Sequence, residues 1–201
     1  MKQIILTIFL LLVAVTALFS FDGKKKGFLL GFGVGGASVA YSQTVEYAGQ
    51  SFDSPTESVG AFATDFKMGY APTNNLEIYY TNQVAWFTMR NGLNEDVTIA
   101  DGVSGVGISY FISQSPTDPT FRPSLFFSVG VGLSAWDTPL EEEAGDPSIG
   151  VGSFFGVGCE VVKHHRVSLN LFVNNPTLVE SGVTLTTNST AILLTYGLMA
   201  F

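Results

Sequence analysis

GFLLGFGVGGASVAYS, residues 27–42, carries the architectural signal of this chain. Phe28, Leu30, Phe32 and Val34 fall at every second position, and Gly31, Gly33 and Gly35 stand between them. A repeat of two is the mark of a β-strand, because successive side chains of an extended chain point to opposite faces. One face is bulky and apolar, and the other is nearly bare.

The same alternation runs through the rest of the chain. Val59 to Ala71 sets Phe62, Phe66, Met68 and Tyr70 against Ala63, Asp65 and Lys67, and Leu76 to Arg90 sets Leu76, Ile78, Tyr80, Val84 and Trp86 against Glu77, Tyr79, Thr81 and Gln83. Thr98 to Ser113 opposes Val106, Ile108, Tyr110 and Ile112 to Asp101, Gly105, Gly107 and Ser109. Leu125 to Leu133 alternates with Ser124, Ser128, Gly130 and Gly132, and Ile149 to Val161 with glycines and Glu160. Val167, Leu169, Leu171 and Val173 alternate with Arg166, Ser168, Asn170 and Asn174. A last strand, about Thr190 to Phe201, is apolar on both faces, which leaves its register open. Eight strands are predicted. Short links fall at Ala71–Asn75, Gln114–Arg122 and Lys163–His165, and longer polar links at Gln43–Ser58, Asn91–Val97, Thr138–Pro147 and Asn175–Asn188. That rhythm is an up-and-down meander with tight turns at one end and loops at the other.

Eight strands leave a bore just wide enough to be filled by side chains. The large apolar faces cannot all fit inside, so they are expected to point outward, into lipid. A sheet in hydrocarbon must close, because unpaired edge groups cost several kcal/mol each. The glycines then leave room in a narrow bore. Tyr41, Tyr70, Tyr79, Tyr80, Trp86, Tyr110 and Trp136 lie near strand ends and are expected in interfacial girdles.

Composition agrees. Of 201 residues only 13% are charged, against about 25% in an ordinary soluble protein. An apolar share of 46% and a mean hydropathy of +0.34 exclude intrinsic disorder. A net charge of −8 excludes the basic patch of a nucleic-acid binder. Cys159, the single cysteine, makes no internal disulfide and no metal constellation. The long links and their rims hold Glu46, Asp53, Glu57, Glu95, Asp96, Asp137, Glu141, Glu142, Glu143, Asp146 and Glu180, with Arg90 their one cation. Lys24, Lys25, Lys26, Arg122, Lys163 and Arg166 gather at the other end.

Met1, Lys2 and Gln3 precede an apolar run from Ile4 to Phe21. A basic start before an apolar core reads as a cleaved secretory signal peptide over residues 1–20, leaving residues 21–201 as the barrel domain. A retained membrane anchor is the competing reading of this run.

Taken with the leader, the Gly-rich first strand GFLLGFGVGG, the alternating link lengths and the aromatic Phe201, the chain resembles the small outer-membrane β-barrels of OmpX and OmpA-domain type. The resemblance implies an all-β, eight-stranded antiparallel up-and-down transmembrane barrel in the outer membrane of a Gram-negative cell. It implies a non-enzymatic surface role exercised through acidic external loops. A small porin-like channel and a lipid A-modifying barrel enzyme are the alternatives.

Two constellations are candidate sites. Asp65, Lys67, Glu77, Asp101, Glu160 and Arg166 share the polar faces and are expected to form a network in the bore, either structural or lining a narrow solute path. Asp137, Glu141, Glu142, Glu143 and Asp146 form an acidic external loop suited to divalent cations that bridge lipopolysaccharide phosphates. KHHRVSLN holds His164 and His165 near Ser168, the residue types of acyl transfer. Neighbouring histidines on a strand point to opposite faces, however, and the stretch lies at a tight turn. GFGVGG lacks the helix that a nucleotide loop needs. The expected partners are outer-membrane lipid and lipopolysaccharide. No cofactor is expected, and the chain is read as a monomer.

Overall fold

The computed structural model describes residues 26–90, 94–114, 122–140 and 146–201. These form β1 (Gly27–Tyr47), β2 (Gln50–Asp53), β3 (Glu57–Thr73), β4 (Leu76–Arg90), β5 (Asp96–Phe111), β6 (Ser124–Asp137), β7 (Ser148–Val162), β8 (His165–Glu180) and β9 (Val183–Ala200). All nine join as antiparallel neighbours; pairing of β1 with β9 closes β1 and β3 to β9 into an eight-stranded barrel, and β2 pairs with the end of β1 outside the ring.

The closure is staggered. Stepping between partners from Gly31 through Lys67, Thr81, Gly105, Gly132, Gly152, Asn174 and Ser189 returns to β1 at Tyr41, a stagger of ten residues. With about 3.3 Å per residue and about 4.8 Å between strands, eight strands offset by that much tilt about 40° from the barrel axis.

The alternation read from the sequence decides which face is which. Leu125, Phe127, Val129, Val131 and Leu133 of β6 are all exposed, as are Val167, Leu169, Leu171 and Val173 of β8. Their neighbours Ser124, Ser128, Ser134, Arg166, Ser168, Asn170 and Asn174 are buried in the bore. On a tilted strand the β6 series covers about 20 Å of height, close to the ~25 Å apolar band of a membrane barrel. Polar atoms that face outward are paired along the wall: Trp86 Nε1 donates to Thr64 Oγ1 at 3.0 Å, and Asn82 Nδ2 donates to Ser104 Oγ. The register of β9 is settled by its partner. Phe32 lies opposite Leu198 and Val34 opposite Tyr196, so Leu194, Tyr196 and Leu198 face outward and Thr195 and Met199 inward.

Three expectations need correction. Tyr41, Tyr79 and Trp136 are not girdle residues: they are buried in the bore, while Tyr70, Tyr80 and Tyr110 stand on the outer face. Nor is the bore merely small and polar. Phe87, Phe111, Phe126, Phe154, Phe172 and Phe201 are buried there too, and Phe126 and Phe154 are seated where glycine leaves space. A Cβ on Gly130 would lie 2.4 Å from the Phe154 ring, and one on Gly158 would lie 2.3 Å from Phe126.

The third correction concerns two long links, Gln43–Ser58 and Asn175–Asn188, which are largely strand. β1 and β2 meet at Ala48–Gly49, and β8 and β9 meet at Ser181–Gly182. All four turn residues have positive φ, from 49° to 80°, as a two-residue hairpin turn with the right-handed twist of its strands requires. Thr44, Thr184 and Thr186 alternate with Val45, Val183 and Leu185, so the β pattern continues past the apolar band with polar partners.

Candidate functional site: the filled bore and the projecting sheet

The bore is filled in layers from the tight-turn end outward. At that end Arg166 enters from β8 and binds Glu77 of β4 through two hydrogen bonds, Nη1 to Oε2 at 2.8 Å and Nη2 to Oε1 at 2.6 Å. Glu160 of β7 stands 3.8 Å from the same Nη2. Phe111, Phe126 and Phe201 surround the guanidinium, with ring centres 4.9, 5.7 and 5.9 Å from its carbon. All three charged groups are at most 4% exposed, so the cluster is packed inside the bore at this end.

Above it Lys67 pairs with Asp65 at 2.9 Å, and its ammonium lies 5.4 Å from the Tyr79 ring centre. Thr81 donates to Asp65 at 3.2 Å. The Tyr79 hydroxyl, Ser109 and Ser128 form a chain with steps of 2.9 and 2.8 Å. Phe154, Phe172 and Leu193 occupy the remaining width. Asp101 lies nearer the loops and accepts from Asn174 Nδ2 at 2.9 Å. The loop end is covered by Tyr41, Phe87 and Trp136, whose ring centres are 5.1–5.9 Å apart. The Tyr41 hydroxyl donates to Glu57 at 2.7 Å.

Strand parity placed Asp65, Lys67, Glu77, Asp101, Glu160 and Arg166 on one face, and all six side chains are buried inside. The structure groups them as Asp65 with Lys67, as Glu77 and Glu160 with Arg166, and as Asp101 with Asn174. The aromatic cap and the Phe111–Phe126–Phe201 ring around Arg166 were not anticipated. Parity would have found them, since Trp136 and Phe126 share the even positions of β6 with Ser128.

Past the loop end, β2, β1, β9 and β8 continue as a four-stranded sheet. At about 3.3 Å per residue and 40° of tilt, the 21 residues of β1 rise about 50 Å, roughly twice the apolar band. On the bore-side face Phe52, Val45, Leu185 and Leu178 are direct cross-strand partners in one row. On the other face the next row is Asp53, Thr44, Thr186 and Thr177, joined by Thr44 to Asp53 at 2.7 Å and Thr177 to Thr186 at 3.2 Å. Tyr47 and Phe52 are each 59% exposed.

In the acidic loop, Asp137 accepts from the Thr138 amide at 2.7 Å and Asp146 is exposed. Glu141, Glu142 and Glu143 lie outside the described residues, as does the leader over residues 1–20. Among the described residues no three of His, Cys, Asp or Glu form a group that could hold a metal ion. The histidines and Ser168 do not meet. His164, at φ 72°, bonds the Met199 carbonyl, His165 bonds the outward Tyr196 hydroxyl, and Ser168 is 3.2 Å from Thr195 inside the bore.

No protein-family model and no curated protein sequence matches the chain. Among solved structures, the outer membrane protein OprG from Pseudomonas aeruginosa is similar over 88% of this chain and 98% of its own, with a TM-score of 0.50 at 10% identity. The chain has the fold of a small outer-membrane β-barrel. Neisserial surface protein A covers 84% of this chain and 96% of its own at 15% identity and a TM-score of 0.47. AlkL, solved in lipid bilayers, covers 87% and 90% at 10% identity and the same TM-score.

Proposed function

We propose that the chain is an integral outer-membrane protein that acts at the cell surface by contact, and neither conducts solutes nor catalyses a reaction. The observation that carries this reading is the sheet of β2, β1, β9 and β8, which extends past the apolar band and bears a row of apolar side chains, Phe52, Val45, Leu185 and Leu178, among polar ones. Phe52 is exposed and Val45, Leu185 and Leu178 are half-buried, and a part-exposed apolar row above the membrane suits contact with another macromolecule. Glu46, Asp53, Glu57 and Glu180 border the sheet, so a basic partner surface is the complementary one. The filled bore supports the same conclusion. The Arg166 ion pairs and the Tyr41–Phe87–Trp136 cap stand at opposite ends of any axial path. In this reading residues 1–20 direct export and the tight turns face the periplasm.

Two measurements on one protein test the proposal. With Cys159→Ser as background, Ser181→Cys at the β8–β9 turn is expected to react with a membrane-impermeant maleimide on intact cells. The purified barrel is expected to give no steady conductance in planar bilayers. A turn that reacts only after the outer membrane is broken would refute the orientation. A steady conductance altered by Arg166→Ala would replace surface contact with the channel reading.

A further inference from the structure

The outer wall carries a recess near the tight-turn end. The ladder of β3 and β4 shifts register between Tyr70 and Thr73, so Ala71 and Pro72 of β3 stand against the single Glu77 of β4. That is a β-bulge, which bends its strand, and Pro72, with no amide to donate, is suited to it. Just above the bulge the two strands run close: a Cβ on Gly69 would lie 2.2 Å from the Ile78 carbonyl oxygen. The result is a groove of about 370 Å³ on the lipid-facing surface. Tyr70 and Tyr80 form one side and Ile78 and Val106 the other, and all four are exposed. The floor is the backbone of Gly69 and Tyr79, the Tyr79 ring being turned into the bore.

The groove stands upright in the membrane. At the barrel's tilt each residue along a strand rises about 2.5 Å, and each step across to the next strand rises about 3 Å. On that scale Val106 lies about 16 Å above Pro72 and almost directly over it. This is half of a hydrocarbon core about 30 Å thick, so the groove crosses one leaflet. Its foot carries a cation: Gly27 pairs with Ala71, which sets the exposed Lys26 beside Pro72. The acids of this end, Glu77 and Glu160, are turned into the bore with Arg166. Apolar contact alone selects nothing in a membrane, because bulk lipid offers the same contact, so shape and charge must do so. An upright apolar groove ending at an ammonium matches an acyl chain ending at a phosphate. We propose that the groove holds one chain of a phospholipid of the tight-turn leaflet, with its phosphate at Lys26, and that it prefers anionic headgroups. Only the naming of that leaflet as periplasmic rests on the orientation proposed above. Binding in detergent reads the groove, and maleimide labelling reads the orientation.

The test is native mass spectrometry of the protein purified from membranes in mild detergent, stripped of lipid and titrated with dimyristoyl phosphatidylglycerol or dimyristoyl phosphatidylcholine. One molecule of the glycerol lipid is expected to bind with saturation. It should bind about fivefold more tightly than the choline lipid, the factor that one lysine contributes at an anionic lipid surface. Lys26→Gln, which leaves the barrel untouched, is expected to abolish that preference. Val106→Phe fills the groove from the lipid side, so it is expected to keep the folded gel mobility and lose the saturable binding of both lipids. Should Val106→Phe fail to fold, Ile78→Phe obstructs the same groove. Binding that climbs without saturating, as in a loose lipid shell, would overturn the proposal. So would equal affinity of the wild type for the two lipids, a preference that survives Lys26→Gln, or a lipid still held by a folded groove-filling variant.

Discussion

Arg166→Leu separates a structural bore from an incidental one. Leucine fills part of the space between Phe111, Phe126 and Phe201 but leaves Glu77 and Glu160 buried, at 1% and 0% exposure, without their guanidinium. Removing one partner of a buried pair costs about 3–5 kcal/mol, chiefly because the remaining charge is stranded. The lost contacts between the guanidinium and the rings add about 0.5–2 kcal/mol. The folded-to-unfolded ratio should therefore fall by roughly two and a half to five powers of ten. If stranded charge is the cause, Glu77→Leu and Glu160→Gln in the same chain should return most of the loss, since hydrophobic replacement of a buried ionic group is often neutral or better. Denaturant unfolding in micelles, followed by the fluorescence of bore-facing Trp136 and by gel mobility, measures both variants. An Arg166→Leu barrel within about 0.5 kcal/mol of wild type would refute the reasoning, as would a triple variant no more stable than the single one.

Gly130→Val would place its Cβ 2.4 Å from the Phe154 ring, so it should destabilise by about 1–3 kcal/mol and be partly rescued by Phe154→Leu in the same unfolding assay. Val129→Arg, on the outward face at mid-band, should cost about 2–4 kcal/mol in lipid, whereas Thr184→Arg on the projecting sheet should stay within about 0.5 kcal/mol. Equal costs at the two positions would contradict the placement of the apolar band. Shortening the hairpins at Ala48–Gly49 and Ser181–Gly182 by two residue pairs each should leave gel mobility unchanged and reduce attachment of expressing cells to a surface coated with basic protein. Undiminished attachment would separate the projecting sheet from surface contact.

The barrel was legible in the sequence because one physical constraint repeats along it. Each strand shows lipid a different chemistry from the one it shows the bore, and Phe32-Gly33-Val34-Gly35 or Val167-Ser168-Leu169-Asn170 displays that directly. The same rule turned Asp65, Lys67, Glu77, Asp101, Glu160 and Arg166 inward. It could not say that Arg166 would choose Glu77, 89 residues away, because that depends on the stagger of the closed barrel. Nearness to a strand end suggests a girdle for Tyr41, Tyr79 and Trp136, but strand parity decides their side and turns them into the bore. Trp136 occupies an even position of β6, and even positions there face the bore. Residues 43–47 of β1, 175–180 of β8 and 183–188 of β9 read as loop because threonine, asparagine and glutamate interrupt the apolar face there, although Val45, Leu178, Val183 and Leu185 keep the period. The register of β9 required a neighbour: Gly33 opposite Gly197 fixes it, and no local pattern in TYGLMAF carries that information.

The ladder from Leu30–Ala200 to Tyr47–Val183 joins the two described barrel strands most distant in sequence. Every other barrel seam can form between consecutive strands as they emerge, but this one waits until all eight exist. Until then Gly27–Tyr47 and Val183–Ala200 each present a lengthy row of unsatisfied amides and carbonyls, which hydrocarbon penalises and which invites pairing with a foreign strand. Assembly of this protein is thus a race between sealing its own cylinder and being captured by a neighbour, and whatever escorts it to the bilayer has to shield those two margins until they find each other.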